Sequence, residues 1–234
     1  MLEDILSQGF QELSIPFTDQ TLSAFRRYYT ILEEKNQQMN LTAITSEDDA
    51  ARLHFLDCSA VLPYLPTGNC RILDIGSGAG FPGLVLKLLR PELSLTLLDS
   101  QQKRVHFLED VCDALGLSDV TCIAVRAEEA PGEMREQFDA VTSRAVSRLN
   151  ILAELSMPFA AVGGRFLAMK ASAAAEELTE AARALNILGG SEGKLLPCTV
   201  PGLDAERYLV SVEKPRPTPA KYPRRYALIK KKPL

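Results

Sequence analysis

The sequence predicts an α/β fold in which a mostly parallel, seven-stranded sheet follows a helical N-terminal extension. Two observations lead to this prediction. From Arg71 onward, short apolar runs typical of buried strands alternate with stretches of helical periodicity, which is the pattern of a parallel sheet. The first apolar run, residues 71–75, leads directly into a glycine-rich turn and then into an amphipathic helical run. We expect this strand, turn and helix to organise the domain.

Residues 1–68 are predicted to form the helical extension. Apolar residues recur at helical spacing from Met1 to Leu13 and again beyond Asp19, while Thr18 and Ser46 have the residue types of helix N-caps. The third helix is expected to end near residue 62, before a boundary rich in proline and glycine. The segment is too short for an independent core, so it should pack on the sheet domain.

Residues 69–213 are predicted to form the sheet domain. The expected strands are residues 71–75, 94–98, 120–125, 138–142, 165–169, 195–200 and 207–212. Helices are expected between most of them, and Gly163 with Gly164 should form the turn that leads into the fifth strand.

Composition limits the possible classes of protein. The 234 residues carry a net charge of −4, and the chain starts with an acid pair where a signal peptide would carry positive charge. No apolar run approaches the ~18 residues that suggest a membrane span. The five cysteines form no C-x-x-C pair, which is typical of reduced cysteines in a cytoplasmic protein. We therefore expect no membrane partner and no metal.

The last 21 residues have a different charge balance from the rest. Residues 214–234 contain eight Lys or Arg and no acid, whereas residues 1–213 contain 18 Lys or Arg and 30 Asp or Glu. A basic tail on an acidic body favours contact with a polyanion such as RNA. A solvated tail that only aids solubility is an equally good interpretation.

The glycine-rich turn predicts a cofactor cradle, because its glycines leave main chain bare and the next helix begins beside it. Two interpretations compete. Gly78-x-Gly80-x-x-Gly83 matches the dinucleotide pattern. Asp74-x-Gly76-x-Gly78-x-Gly80 is similar to the first motif of class I S-adenosylmethionine-dependent methyltransferases. The second is favoured because the strand runs directly into Gly76, and because Asp74 would attract an ammonium and a sulfonium but repel a pyrophosphate.

Other candidate site residues follow the strands, since ligands of open α/β sheets bind beyond the carboxyl ends of the strands. Asp99 ends the second strand, about 20 residues past the cradle, where a carboxylate can accept both ribose hydroxyls. Ala127 and Glu128 follow the third strand, where a backbone N–H and a side chain could bind an adenine. Arg144 ends the fourth strand. It could pair with the cofactor carboxylate, an RNA phosphate or a guanine O6, or form a salt bridge to Asp74 or Asp139.

Together these motifs resemble the bacterial ribosomal RNA small subunit methyltransferase G family, also called glucose-inhibited division protein B. The motifs are Asn-Leu-Thr-Ala-Ile at 40–44, His-Phe-Leu-Asp at 54–57, Asp-Ile-Gly-Ser-Gly-Ala-Gly-Phe-Pro-Gly at 74–83, Leu-Asp-Ser at 98–100, Lys-Arg at 103–104, Arg-Ala-Glu at 126–128, Thr-Ser-Arg-Ala-Val at 142–146 and Lys-Tyr-Pro-Arg-Arg at 221–225. They span nearly the whole chain in family order. Cys58 departs from the family pattern, which has Ser there.

The resemblance implies a Rossmann-like class I methyltransferase that uses S-adenosylmethionine. It also implies methylation of a guanine N7 in 16S ribosomal RNA, in the conserved hairpin loop near the decoding site, with 16S RNA or the small ribosomal subunit as partner. By matched position, Gly76, Phe81, Ala127, Glu128 and Arg144 would contact the cofactor. Gly78 and Asp99, expected from the cradle and from the ribose argument, complete the set of cofactor-binding residues.

The expected chemistry agrees with this assignment. Guanine N7 has an in-plane lone pair and no proton at neutral pH, so no general base is required, and we identify no catalytic residue. Two alternatives remain. An NAD(P)-dependent oxidoreductase would need a catalytic set, yet both histidines, His54 and His106, fall on predicted helices. A non-catalytic ribosome- or RNA-binding module would not need the intact glycines and Asp99.

Overall fold

The computed structural model describes residues 1–234, and its seven strands form one sheet. In chain order the strands are β1 (Arg71–Ile75), β2 (Ser94–Asp99), β3 (Val120–Ala124), β4 (Phe138–Arg144), β5 (Ala160–Lys170), β6 (Lys194–Pro197) and β7 (Tyr208–Glu213). Across the sheet their order is β3-β2-β1-β4-β5-β7-β6. β7 runs antiparallel to β5 and β6, and all other neighbours pair in parallel. The predicted α/β class with a mostly parallel sheet is therefore confirmed.

Eight helices surround the sheet. Seven of them are α1 (Leu2–Glu12), α2 (Asp19–Met39), α4 (Gly83–Leu89), α5 (Gln102–Leu115), α6 (Leu149–Ser156), α7 (Ala174–Ile187) and α8 (Tyr226–Lys231). The remaining helix, α3, is continuous over residues 47–59: it begins as Glu47–Ala50, widens into a π-helix at Ala51–Leu56 and ends as Asp57–Ser59. None of these helices combines the length and the apolar character needed to cross a bilayer.

The predicted N-caps are confirmed. The Thr18 hydroxyl accepts a hydrogen bond from the Thr21 N–H at 3.1 Å, and the Ser46 hydroxyl accepts one from the Asp49 N–H at 3.1 Å. These bonds satisfy N–H groups that have no partner inside α2 or α3, so the two helices begin where their sequences predict.

Two hydrophobic cores lie on opposite faces of the sheet. Alternate residues of each strand point to opposite faces, so on β1 Ile72 joins the core under α1–α5, while Leu73 and Ile75 join the core under α6–α8. Phe10 and Phe55 of the N-terminal extension belong to the same core as Ile72. The extension therefore completes one face of the sheet, as its small size predicts.

The prediction of a turn at Gly163 and Gly164 is wrong. Both glycines lie inside β5, which begins at Ala160 opposite Phe138 and shifts register before Ala140. Gly163 has φ +90°, and a Cβ on Gly164 would lie 2.9 Å from the Asp139 carbonyl oxygen. The glycines are thus needed for a bulge and a close strand approach, which local sequence does not distinguish from a turn.

The C-terminal segment, residues 214–234, packs against the sheet domain over much of its length. The fully buried Lys214 Nζ lies 2.9 Å from Glu136 Oε1, and the fully buried Glu154 carboxylate lies 2.6 Å from Arg224 Nη2. Ile229 of α8 is also fully buried. Two of the eight basic side chains therefore pair with acids of the sheet domain, and Arg216 also donates to the Asn186 carbonyl oxygen at 3.0 Å. The six that remain exposed are Arg216, Lys221, Arg225, Lys230, Lys231 and Lys232.

Candidate functional site

The glycine-rich turn joins β1 to α4 at the carboxyl edge of the sheet. Gly76 and Gly78 have φ +70° and +58°, a region that residues with a side chain rarely adopt. A Cβ on Gly78 would find only the Gly76 carbonyl oxygen within 4 Å, at 3.8 Å, so it would stand in open space. The turn therefore presents bare main chain at Gly78, as a ligand cradle requires.

Asp74 has a different role from the one expected. It is fully buried beneath the turn, where Oδ2 accepts from the Gly83 N–H at 3.2 Å and Oδ1 accepts from the Thr142 hydroxyl at 2.9 Å. Burial raises its pKa to about 6. Asp74 thus ties the turn to α4 and β4, and it does not line the cavity into which the turn opens.

Asp99, at the end of β2, holds the turn from the other side. Its Oδ2 accepts from the Gly78 N–H at 3.0 Å and its Oδ1 from the Gln101 N–H at 2.9 Å. Arg104 Nη1 lies 3.5 Å from Oδ2. Each carboxylate oxygen can accept two hydrogen bonds, so Asp99 keeps capacity for further donors.

A cavity of about 260 Å³ opens at the ends of β1, β2 and β3, and we call it the cleft. Four of the seven predicted site residues line it, namely Gly76, Asp99, Ala127 and Glu128. The backbone N–H of Gly78 bonds to Asp99 at its edge. Tyr226 of α8 also lines the cleft, with the Arg126 guanidinium 5.9 Å from its ring centre. Tyr226 was not predicted from the sequence, because nothing local indicates that α8 folds back over the sheet.

Phe81 and Arg144, the remaining two predicted residues, lie in an adjoining cluster. Arg144 Nη1 donates to Asp57 Oδ2 at 2.9 Å, and Nη2 donates to His54 Nδ1 at 2.7 Å. The Arg144 guanidinium lies 5.3 Å from the centre of the Phe81 ring, on which His54 stacks at 4.4 Å. The salt bridge considered from sequence is present, but its acid is Asp57 rather than Asp74 or Asp139.

His54 is neutral in this cluster. Burial and the nearby Arg144 charge lower its pKa to about 3. Because Nδ1 accepts from Arg144, the ring proton sits on Nε2, which donates to the Thr42 hydroxyl at 2.9 Å. Both ring nitrogens are occupied, so the structural interpretation of His54 is the one that the geometry supports.

Asp57 and Arg207 are site residues that were not predicted from the sequence. Asp57 is buried, and its second oxygen, Oδ1, lies 3.2 Å from Arg207 Nε. The signal for Asp57 was its place three residues after His54, on the same helix face. Arg207 gave no signal, since it follows a loop that brings it to Asp57 from 150 residues further along the chain.

A second cavity, of about 500 Å³, lies beside the cleft, and we call it the side cavity. Arg144, Asp57 and Arg207 line it. Ala145 and Val146 line both cavities and form the wall between them. Val146 packs on the turn, since a Cβ on Gly76 would lie 2.5 Å from its Cγ2, and Ala145 has φ +56°. The two cavities therefore meet where β4 ends.

The strand order, the reversed β7 and the glycine turn after β1 define a class I, S-adenosylmethionine-dependent methyltransferase fold. Solved structures agree with that fold. A SAM-dependent methyltransferase from Aquifex aeolicus has a TM-score of 0.54 at 19% identity, over 70% of this chain and 93% of that one. A predicted O-methyltransferase from Agrobacterium tumefaciens also scores 0.54 at 19% identity, over 68% and 81%.

Sequence comparison gives the family. Residues 21–203 match the family model for rRNA small subunit methyltransferase G. Relatives named ribosomal RNA small subunit methyltransferase G include one from Limosilactobacillus fermentum, 46% identical over 97% of this chain and 96% of the relative, and one from Clostridium tetani, 39% identical over 99% and 98%. The chain belongs to this family, so the resemblance is confirmed. It is a methyltransferase whose methyl donor is S-adenosylmethionine, and no comparison favours a nicotinamide cofactor.

Proposed function

We propose that the protein methylates N7 of a guanine in 16S ribosomal RNA, in the hairpin loop of the decoding region. The observation that carries the proposal is the family match over residues 21–203, joined to a cleft that shares Ala145 and Val146 with a larger neighbouring cavity. The partner is 16S RNA or the small ribosomal subunit.

The residues around the cleft fit the cofactor. The bare main chain at Gly78 leaves space for it, and Asp99 retains lone pairs for two ribose hydroxyls. The backbone at Ala127 and the side chain of Glu128 line the cleft where an adenine would be bound. Bound S-adenosylmethionine supplies a positively charged sulfonium that carries an electrophilic methyl group.

The reaction requires alignment rather than proton transfer. Guanine N7 carries no proton, so the protein needs no base at the wall, and His54, whose pKa is about 3, offers none near neutral pH. Ala145 and Val146 line both cavities, and Val146 packs on Gly76, so a base held in the side cavity would lie beside the methyl donor in the cleft. Proximity and orientation of this kind can supply ~7–11 kcal/mol of a barrier.

The test uses small-subunit RNA from cells that lack the gene. The purified chain, incubated with this RNA and tritium-labelled S-adenosylmethionine, should transfer one methyl group per RNA. Borohydride reduction and aniline cleavage should then cut the RNA at a single guanine in the decoding-region loop. An N7-methylguanine signal that is already complete in RNA from the deleted strain would contradict the proposal. So would uptake of NADH in place of S-adenosylmethionine.

A further inference from the structure

The side cavity has the size and lining of a small-molecule site. Its volume of about 500 Å³ falls in the ~300–1,000 Å³ range of ligand pockets. Apolar side chains, among them Leu53, Val61 and Met169, provide most of its surface, and a few charged groups interrupt them. Because it shares the wall of Ala145 and Val146 with the cleft, a ligand in it lies next to the bound methyl donor.

The two carboxylates that line this cavity differ in what they have left to bind. Both oxygens of Asp57 are engaged, one by Arg144 at 2.9 Å and the other by Arg207 at 3.2 Å. Glu177 of α7 uses one oxygen only. Its Oε2 accepts from the Leu149 N–H at 2.8 Å and lies 2.7 Å from Lys170 Nζ. No protein group donates to its Oε1, which leaves one carboxylate oxygen available to a ligand.

Guanine matches that free oxygen better than the other bases do. Its N7 lies on one edge of the purine, and the N1–H and the N2 amine lie side by side on the opposite edge. When N7 faces the wall, these two donors face away from it, into the cavity. Adenine and cytosine place an acceptor nitrogen beside their amine, and uracil places its one N–H between two carbonyls, so none of the three offers a carboxylate two adjacent donors.

We propose that the side cavity binds the acceptor guanine and that Glu177 recognises it by accepting from N1–H and the N2 amine. Lys170 Nζ, which also donates to the Ser147 carbonyl at 2.7 Å, fixes the position of the Glu177 carboxylate. The base must leave its stack to enter, as in other enzymes that read an extruded base by its Watson–Crick edge. This inference rests on the proposed function and adds the residue that selects the base.

Glu176, the neighbour of Glu177 on α7, provides a matched control. It is exposed and pairs with Arg148 at 2.9 Å on the surface, away from the cavity lining. In the full-length chain, Glu177→Gln should leave S-adenosylmethionine affinity, measured by calorimetry, within about threefold of wild type. It should lower kcat/KM for deproteinised 16S RNA by about 10- to 100-fold, the usual effect of losing a charged hydrogen bond. Glu176→Gln should stay within about threefold on both measures.

A second comparison tests the contact itself. In 16S RNA assembled by splinted ligation, inosine replaces the target guanine and removes only the N2 amine. The wild type and Glu176→Gln should lose about 10- to 100-fold in kcat/KM on inosine, because one donor to Glu177 is missing. Glu177→Gln should discriminate less than threefold, because its neutral amide accepts the N2 amine more weakly than the charged carboxylate does.

The outcomes separate the two claims. Normal methylation of guanine by Glu177→Gln, or the same guanine-to-inosine ratio in all three proteins, overturns the role of Glu177. An absence of methyl transfer to guanine by the wild type, both in free 16S RNA and in small subunits assembled from it, overturns the proposed function, and this inference with it.

Discussion

Replacing Gly78 by alanine tests cofactor binding at the glycine-rich turn separately from the stability of the fold. Gly78 has φ +58°, and a Cβ there would meet no protein atom closer than 3.8 Å. The free energy of unfolding should therefore fall only by the cost of placing a residue with a side chain in the left-handed region, about 1–2 kcal/mol. In a chain of this length that cost lowers the Tm by about 2–8 °C.

Gly116 is the matched control. It is the C-cap of α5, has φ +63°, and a Cβ there would also meet nothing within 4 Å. Gly116→Ala should thus lower the Tm by a similar amount. Only at Gly78 would the new methyl group enter the space where the cofactor approaches main chain.

Calorimetry with S-adenosylmethionine provides the assay. Gly78→Ala should weaken binding by about 1–3 kcal/mol, or roughly 5- to 150-fold, since an added methyl in a fitted site costs that much. Gly116→Ala should bind as the wild type does. At a ligand concentration of about 100 Kd, the wild type gains about 2.7 kcal/mol of stability. Equal ligand-induced Tm increases in the two variants would refute the cradle at Gly78.

Three further predictions concern the rest of the molecule. Glu154→Gln leaves Arg224 without its buried acid, so it should lower the free energy of unfolding in urea by about 3–5 kcal/mol, and it should weaken cofactor binding because Tyr226 of α8 lines the cleft. Asp74 has a pKa of about 6 in the folded protein, against 3.8 normally, because burial disfavours its charge. Its stabilising proton is fully present below about pH 3.8 and is lost as the pH rises to about 6, so Asp74→Asn should remove roughly 3 kcal/mol of pH dependence from urea titrations between those values. Glutamine at residues 230–232 should weaken RNA binding and flatten its salt dependence, as measured by filter binding from 50 to 200 mM salt.

A specific result would refute each of these predictions. The exposed pair of Arg148 with Glu176 is the control for Glu154, and Arg148→Gln should leave the free energy of unfolding nearly unchanged. Equal losses in the two variants would show that burial of the Glu154 pair has no special effect. If the free energy of unfolding depends on pH in the same way in the wild type and in Asp74→Asn, the raised pKa of Asp74 is refuted. An unchanged salt slope would mean that the exposed lysines of α8 and its end do not contact RNA.

Local sequence predicted most of the fold because its signals lie close together along the chain. The caps at Thr18 and Ser46, the apolar strands and the turn after β1 each depend on residues within about one turn or one strand of each other. The error at Gly163 and Gly164 has the opposite cause: their bulge is required by the pairing of β5 with Phe138 and Asp139, some 25 residues away. A pair of glycines indicates backbone freedom, but it does not indicate which strand packs against it.

The sequence by itself determined the class of cradle, the acid that ends β2 and the family, since these follow from motifs of a few residues in a fixed order. Only the tertiary structure determined which groups each charged side chain contacts. Arg144 pairs with Asp57 and His54, Asp74 lies under the turn, and Glu177 keeps one free oxygen at the side cavity. The physical reason is burial: a charge removed from water must find its partner nearby in space, and chain folding, not chain order, decides which groups are near.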